Sequence, residues 1–588
     1  MTAADTAADR PRPRGGPGRR RRQPRPGQTY GFATLFKDSI IYGSGRALQK
    51  FLSMLLLPLY TSYLTPKDYG VLGLVLGFST LIDVIITLGW DVTFSRFYFD
   101  DDTELHRRKV ITQTFYVDTV YPFVLLGVLA YFMPQISRAI MGGGGYTLYF
   151  DLALINLAIV NINDIPFQLF RLDHKPWRFT TFTVGRIFVQ VPITIVLVAV
   201  VHWGVKGVLV GTLVTSIVLA VAALPFWVTR LKISWEPALF WSMLSFAVAN
   251  FFANVAFYAL NFSDRYLLRW RGNLREVGLY VAAGMMAQPV YFAGYAFRMA
   301  WPQWHYSFLK DPQVHKQRVA RGYTYFSLMS FSLVAFLGVF LPLMIRVLLR
   351  RPDYWGVLGA SLLLLFATTA FNSYHLFLVG VNVTKKNRFL PLLVLVAATF
   401  SITTNIFLIP RYGFMAAALT NLLSFTLLAA MMRTLSQHYY AIPHEWTRVL
   451  RLLGAALLTL GAAYGLGAAT GFDIHMEFDA LLWRQALMAL MLGVFPLVLW
   501  TTRFFNADEK VALRRMGHSA LHPRAWRAAR TAAPATQAPP LLDETVTPDP
   551  VEADLAADAA SEEELAAEEE RLEEEWEAGG RDTSGETL

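Results

Sequence analysis

From about residue 33 to residue 503 the chain alternates long apolar stretches with short polar connections, about fourteen stretches in all. Their approximate limits are 35–63, 68–96, 110–133, 147–170, 179–201, 204–228, 237–262, 276–300, 322–345, 355–380, 388–410, 413–437, 448–469 and 481–502. A helix needs roughly 20 apolar residues to cross the hydrocarbon core. In lipid the backbone polar groups must be satisfied inside each segment, so such an array predicts a helical polytopic membrane protein. An outer-membrane barrel is excluded, because its strands alternate at period 2 over about 10 residues. The fifth and sixth stretches are joined only by the His202-Trp203 turn.

Composition agrees with the pattern. Of 588 residues, 54% are hydrophobic and 16% charged, against about a quarter charged in soluble proteins. Mean hydropathy is +0.37 even with two polar tails included. The absence of cysteine excludes disulfides, thiolate metal sites and cysteine nucleophiles. The net charge of +10 is a sum of unlike regions. Arg10, Arg12, Arg14, Arg19 to Arg22 and Arg25 lie in a Pro/Gly-rich basic tail, and residues 543–588 are acidic. The basic tail reads as a juxtamembrane segment on anionic cytoplasmic lipid rather than a nucleic-acid binder. No cleavable signal peptide is expected, since no apolar stretch with a small-residue cleavage site precedes residue 33.

Lys and Arg in short loops orient the spans. With the N-terminus inside, Arg107-Arg108-Lys109, the Arg171 to Arg178 loop, the Lys310 to Arg321 loop and Lys385-Lys386-Arg388 are cytoplasmic, and both termini face the cytoplasm. Two groups oppose the rule: Arg265, Arg269, Arg271 and Arg275, and Arg346, Arg350 and Arg351. External loops are short, and no Walker A, H-E-x-x-H or G-x-S-x-G sequence is present. Nucleotide hydrolysis by a known motif is therefore not expected, and neither is a cofactor. An ion gradient (H⁺ or Na⁺) or the substrate's own gradient is left as the driving force.

The array repeats. Lys67-Asp68-Tyr69-Gly70-Val71-Leu72 and Arg275-Glu276-Val277-Gly278-Leu279-Tyr280 precede the second and eighth spans, with Gly70 and Gly278 separated by 208 residues. His174-Lys175-Pro176-Trp177-Arg178-Phe179 and Thr384-Lys385-Lys386-Asn387-Arg388-Phe389 precede the fifth and eleventh at an offset of 210. Gly204 and Gly413 precede the sixth and twelfth at 209. Spans 1–6 then match spans 7–12. Because six is even, the two copies run parallel about an axis along the membrane normal. The expected division is a basic tail (1–32), an N-lobe (33–229), a C-lobe (230–440), two added helices (441–503) and a C-terminal tail (504–588).

Pro58-Leu59-Tyr60-Thr61, Tyr63-Leu64, Pro66 and Asp68-Tyr69-Gly70 lead into an apolar span that ends in Leu88-Gly89 and Phe94-Ser95-Arg96-Phe97-Tyr98. This order resembles the start of bacterial polysaccharide flippases of the multidrug/oligosaccharidyl-lipid/polysaccharide (MOP) exporter superfamily. Asp264-Arg265-Tyr266-Leu267-Leu268 before Glu276-Val277-Gly278-Leu279-Tyr280 resembles the opening of their second lobe. The resemblance covers roughly residues 35–505. It implies a MATE-like fold with two six-helix lobes around a central cavity, often with two added helices. It also implies alternating-access movement of a lipid-diphosphate-linked saccharide to the outer leaflet.

A charge at bilayer depth costs at least about 2.5–3.5 kcal/mol, so it faces a cavity or a partner. In span 1, Ser39, Tyr42/Gly43, Arg46, Gln49/Lys50 and Ser53 share one helical face. Arg46 and Lys50 are read as cavity cations for a diphosphate, or as partners of Asp83 or Asp91 in span 2. Arg186 and Arg298 are further cavity cations, Arg298 near the cytoplasmic edge. Asn250, Asn254 and Asn261, with Tyr258, lie on span 7 and suit either sugar hydroxyls or helix–helix hydrogen bonding. Asp83, Asp91 and Asp118 are candidates for ion coupling. Asp264-Arg265 reads as an interfacial pair or a gate.

The leading expectation is an inner-membrane flippase of a lipid-diphosphate-linked oligosaccharide for surface polysaccharide or lipopolysaccharide biosynthesis. Its partners would be membrane lipids, the lipid-linked glycan and other polysaccharide assembly proteins, not nucleic acid. An ion-coupled multidrug antiporter and a peptidoglycan-precursor flippase share the fold. A membrane glycan polymerase or ligase fits less well, because no large outer loop is present.

Overall fold

The structure, a computed structural model, describes residues 56–88, 90–98, 103–172, 176–228 and 235–506, with Met54, Asp100, Glu509 and Lys510. Arg46 and Lys50 lie outside the described residues, as do the side chains of Asp91 and Asn250.

The described helices are α1 (Leu57–Tyr63), α2 (Pro66–Thr87), α3 (Trp90–Tyr98), α4 (Glu104–Phe115), α5 (Tyr121–Met141), α6 (Thr147–Leu172), α7 (Pro176–Ile195) and α8 (Gly204–Trp227). They continue as α9 (Pro237–Arg271), α10 (Leu274–Met286), α11 (Gln288–Tyr306), α12 (Pro312–Leu348), α13 (Leu358–Val383), α14 (Leu390–Tyr439), α15 (Trp446–Ala469), α16 (Phe478–Leu490) and α17 (Val494–Thr501). The fold is an all-helical membrane bundle. Among the described residues ten helical segments are long and apolar enough to cross a membrane. One of them, α14, holds two expected spans, since Gly413 interrupts it with φ 56° and ψ −137°. The expected span 7 lies in α9, which carries amides and charges along its length.

Three expected boundaries shift. Span 2 stops at Leu88, whose φ of 47° is left-handed, and resumes as α3. Span 3 extends from α4 through a π-helical turn, Tyr116–Val120, into α5. Span 8 breaks at Ala287, where α10 ends and α11 restarts with a proline in its first turn. The short join after span 5 is real: His202 and Gly204 both take positive φ, 58° and 55°.

Repeat-related positions do the same local work. Thr65 opens α2 as a capping box with Asp68, the threonine hydroxyl accepting the Asp68 N–H at 3.2 Å while the carboxylate accepts the Thr65 N–H at 3.0 Å. At an offset of 208, the Asn273 side chain opens α10 by accepting the Glu276 N–H at 3.0 Å. Glu276 in turn accepts the Phe414 N–H at 2.8 Å, just after Gly413. Gly204 and Gly413 hold nearly the same left-handed φ, 55° and 56°, which L side chains resist.

The two openings pack against each other. A Cβ on Gly70 would strike the Leu274 carbonyl, and one on Gly278 would strike the Pro66 carbonyl. Only glycine lets the two backbones approach this closely. One apolar core runs through this crossing of α2 and α10 and on into α12, α13 and α14. A smaller core joins Trp90, Phe94, Val110 and Trp227 to Met243 and Ala247 near the start of α9. The added helices α15 and α16 pack on α12 through Val339, Leu460, Ala463 and Met488.

Three of the arginines that oppose the charge rule have local partners. Arg269 donates to the Met141 carbonyl at the end of α5, a favourable place for a cation. Arg346 donates to the Ile474 carbonyl at 2.9 Å and lies 4.0 Å over the Trp355 ring. Arg351 pairs with Asp353 at 3.3 Å.

Candidate functional site

Two cavities flank α10. The first, about 300 Å³, lies among α1, α2, α7, α8 and α10. Its walls are mostly apolar (Leu72, Leu76, Val208, Leu209), with Tyr60, Tyr69, Arg186, Gln190 and Thr212 as polar groups. The second, about 490 Å³, lies among α2, α9, α10, α11, α13 and α14. Asn254, Tyr258, Asn261 and Arg265 enter it from α9, Gln288 and Tyr291 from α11, Thr368 from α13 and Asn421 from α14. Val281 and Met285 line both, so a single layer of α10 side chains separates them.

The cavities occupy equivalent places in the repeat. At an offset of 208, Leu72, Gly73 and Leu76 of the first correspond to Tyr280, Val281 and Gly284 of the second. At 209, Thr212 corresponds to Asn421. Positions at this offset line both cavities, while the residues that occupy them differ.

Arg186 is half-buried on the wall of the first cavity, and Asp164 on α6 acts on its charge. Arg298 stands behind the second cavity in an aromatic box. Its guanidinium lies 5.3 Å from the Tyr291 ring centroid, 5.7 Å from Tyr295 and 5.5 Å from Phe371. Such contacts hold a desolvated cation.

Asn254 and Asn261 line the second cavity. The Asn261 amide donates to the Phe257 carbonyl at 2.8 Å, leaving its carbonyl oxygen as an acceptor. The Tyr258 hydroxyl is engaged: it donates to the Gly77 carbonyl across the bundle at 3.1 Å and meets the Tyr266 hydroxyl at 2.8 Å.

Asp264 and Arg265 diverge, because adjacent helical residues leave the axis about 100° apart. Asp264 is buried, accepting the Tyr280 hydroxyl, the Arg265 N–H at 2.7 Å and the Asn421 side chain. It ties α9 to α10 and α14. Arg265 instead enters the second cavity, 4.4 Å over the Phe262 ring.

Of the ion-coupling candidates, Asp118 is buried in the π-helical turn Tyr116–Val120, a geometry frequent at functional sites. Asp83 is half-buried on α2. The structure does not bring either of them into a cavity wall beside Arg186 or Arg265. Among the described residues no cluster of three metal-ligating side chains occurs.

Gln190, Gln288 and Asn421 were not singled out from the sequence. The repeat offset linking Thr212 to Asn421 was the available signal for one of them.

Residues 62–355, half of the chain, match the family described as polysaccharide biosynthesis protein. The chain belongs to this family. No curated protein sequence matches it. Its fold is that of a lipid II flippase, MurJ, in an inward closed conformation: the two are 13% identical with a TM-score of 0.63, over 79% of this chain and 100% of that one. An inward-facing multidrug-resistance MATE transporter of the MOP superfamily is 12% identical with a TM-score of 0.58, over 72% of this chain and 99% of that one. An outward-facing MATE transporter gives 12% and 0.53, over 72% and 96%. Family and fold make this a polysaccharide biosynthesis protein with the multi-pass, all-helical membrane fold seen in those transporters.

Proposed function

We propose that the protein translocates a lipid-diphosphate-linked oligosaccharide across the inner membrane by alternating access, for surface polysaccharide biosynthesis. The observation that carries this reading is the pair of repeat-equivalent cavities sharing one wall of α10. Cations face both cavities, each also presents an amide and aromatic rings, and the larger carries more of both. A desolvated diphosphate needs a cation that offers several donors, and sugars need amide donors and acceptors. Arg46 and Lys50 on span 1, with Arg186 and Arg298, are the proposed cations. Asn250, Asn254, Asn261 and Tyr258 form the proposed sugar-facing stripe.

With both termini cytoplasmic, the Gly70–Gly278 crossing is the outer closure. Its release would open the cavities outward, with Asp264 and Arg265 beside the moving junction. Asp83, Asp91 and Asp118 are the proposed sites of H⁺ or Na⁺ coupling. Other polysaccharide assembly proteins would receive the product.

A peptidoglycan-precursor flippase is the second reading, favoured by the fold shared with a lipid II flippase. It keeps the lipid-diphosphate chemistry and changes the sugar. A cationic-drug antiporter is disfavoured because neither cavity is lined by a carboxylate among the described residues. Reconstitution tests the choice. Proteoliposomes supplied with a lipid-diphosphate glycan, with and without an H⁺ or Na⁺ gradient, should expose the glycan on the opposite leaflet. Export of a cationic drug with no glycan movement would overturn the reading, and movement of lipid II alone would select the second.

A further inference from the structure

Away from both cavities, two buried histidines meet at the far end of α11. His305 stands one residue before the end of α11, and His315 lies in the first turn of α12. They are 2% and 0% exposed. The His305 Nδ1 and His315 Nε2 atoms are 3.3 Å apart, and His315 Nδ1 is 2.8 Å from the Tyr440 hydroxyl. Tyr440 follows the last residue of α14, and its hydroxyl also reaches the Pro312 carbonyl at 3.4 Å. The contacts thus clasp the end of α11, the start of α12 and the end of α14. Gln288 and Tyr291 on α11 and Asn421 on α14 line the second cavity, so the clasp fixes the far ends of two of its walls.

A neutral imidazole has one donor and one acceptor. His315 can therefore accept from one neighbour while it donates to the other, and the chain closes with both rings uncharged. A protonated imidazole has two donors and no acceptor. With both rings protonated, two N–H groups face each other across this contact, and two charges occupy a place that water does not reach.

The surrounding groups do not offset that cost. Among the described residues no carboxylate bonds either ring. Tyr306 packs on His305 with ring centroids 4.1 Å apart. Lys310 is exposed, and Asp311 caps α12 through the Gln313 and Val314 N–H groups at 2.8 and 3.1 Å. On α12, Lys316 lies 4.8 Å over the Tyr440 ring and Arg318 lies 4.0 Å over Phe308. Lys385 and Lys386, just after α13, are exposed. On α14, Arg433 lies 4.4 Å over Trp446, and His438 packs edge-on against Tyr439. Beyond it, His444 meets the Gln437 amide at 3.0 Å, and Glu445 pairs with Arg448 at 2.9 Å.

We propose that His305, His315 and Tyr440 form an acid-released clasp: neutral, it holds the α11–α12 turn to the end of α14, and protonation of the two rings frees it. Once wetted, the rings take up protons as ordinary histidines do, near about pH 6.5. The open form then binds more protons than the closed one, so closure is fully present above that pH and is lost as pH falls below it. At about pH 5.5 each histidine shifts the balance up to about tenfold, and the pair up to about 100-fold. On the proposed orientation this end faces the cytoplasm, where acid would free the inner ends of α11 and α14.

The test uses the full-length protein, which has no native cysteine, in nanodiscs. Nitroxides on Ser307→Cys and Thr434→Cys, both exposed, span the clasp. At neutral pH their distance should be short and narrow. Acidification from about pH 7.5 to about pH 5.5 should raise the ratio of long to short distances up to about 100-fold. His305→Gln with His315→Gln, which keeps hydrogen-bonding groups that take up no proton, should abolish the response. If that pair does not fold, His315→Gln alone should cut the response about tenfold. Tyr440→Phe should lengthen the distance already at neutral pH, and His444→Gln should leave the response intact. A wild-type distance that ignores pH, or a full response in the folded histidine variants, would overturn the clasp.

Discussion

The two cavities beside α10 have lining residues about 208 positions apart in the chain, and their chemistry differs. The first is narrow and largely apolar, with Arg186 and Gln190 as its main polar groups. The second is wider and collects amides, aromatic rings and Arg265. Where the first has Leu72 and Thr212, the second has Tyr280 and Asn421, and these two hold the buried Asp264 carboxylate. A duplicated scaffold needs its glycines and caps at fixed places, because backbone contacts tolerate no side chain there. Cavity walls carry no such constraint and are free to divide the recognition of one amphiphilic cargo.

Removing the cations of span 1 is the most severe challenge to this division. Arg46→Ala with Lys50→Ala should abolish export of the surface glycan while the protein remains inserted at wild-type level. Full export would remove span 1 from the site and leave the first cavity with Arg186 as its described cation.

The frame itself can be broken at Gly70. A leucine there meets backbone rather than a rotatable side chain, so the cost should reach about 3 kcal/mol or more, the upper end for overpacking. Nitroxides on Ser62→Cys and Asn273→Cys, in a chain with no native cysteine, should move apart in Gly70→Leu. An unchanged distance would show that the crossing does not hold the two repeats together.

A smaller effect sharpens the contrast. Asn261→Ala removes a neutral hydrogen-bonding group, worth about 0.5–1.5 kcal/mol, and should weaken a sugar-bearing ligand roughly 2–10-fold. The sugar-free polyprenyl diphosphate should bind it normally. Equal losses for both ligands would mean that the second cavity does not discriminate sugars.

The markers at the 208–210 spacing were legible because they are backbone requirements. Gly70 and Gly278 are needed where two helices touch, and Gly204 and Gly413 where φ is positive. The match of one cavity to the other was not legible, since it depends on which side chains of α2, α8, α10 and α14 face inward. Asp264 and Arg265 show the limit: adjacent in sequence, they read as a pair, yet packing turns one into a buried network and the other into a cavity. The break of span 8 at Ala287 was hidden because Gln288-Pro289 sits within an otherwise apolar run. Arg298 looked like an edge cation, and its aromatic box came from residues on two helices.

The central claim is that the cavities on either side of α10 together bind an anionic lipid-linked cargo. It is tested most directly by the affinity of the purified protein for a lipid-diphosphate glycan, against that of the Arg186→Gln/Arg265→Gln double variant. Each charge-assisted contact is worth about 1.5–3 kcal/mol, so the account predicts a loss of at least about 100-fold at unchanged thermal stability. Wild-type affinity in the double variant would contradict it.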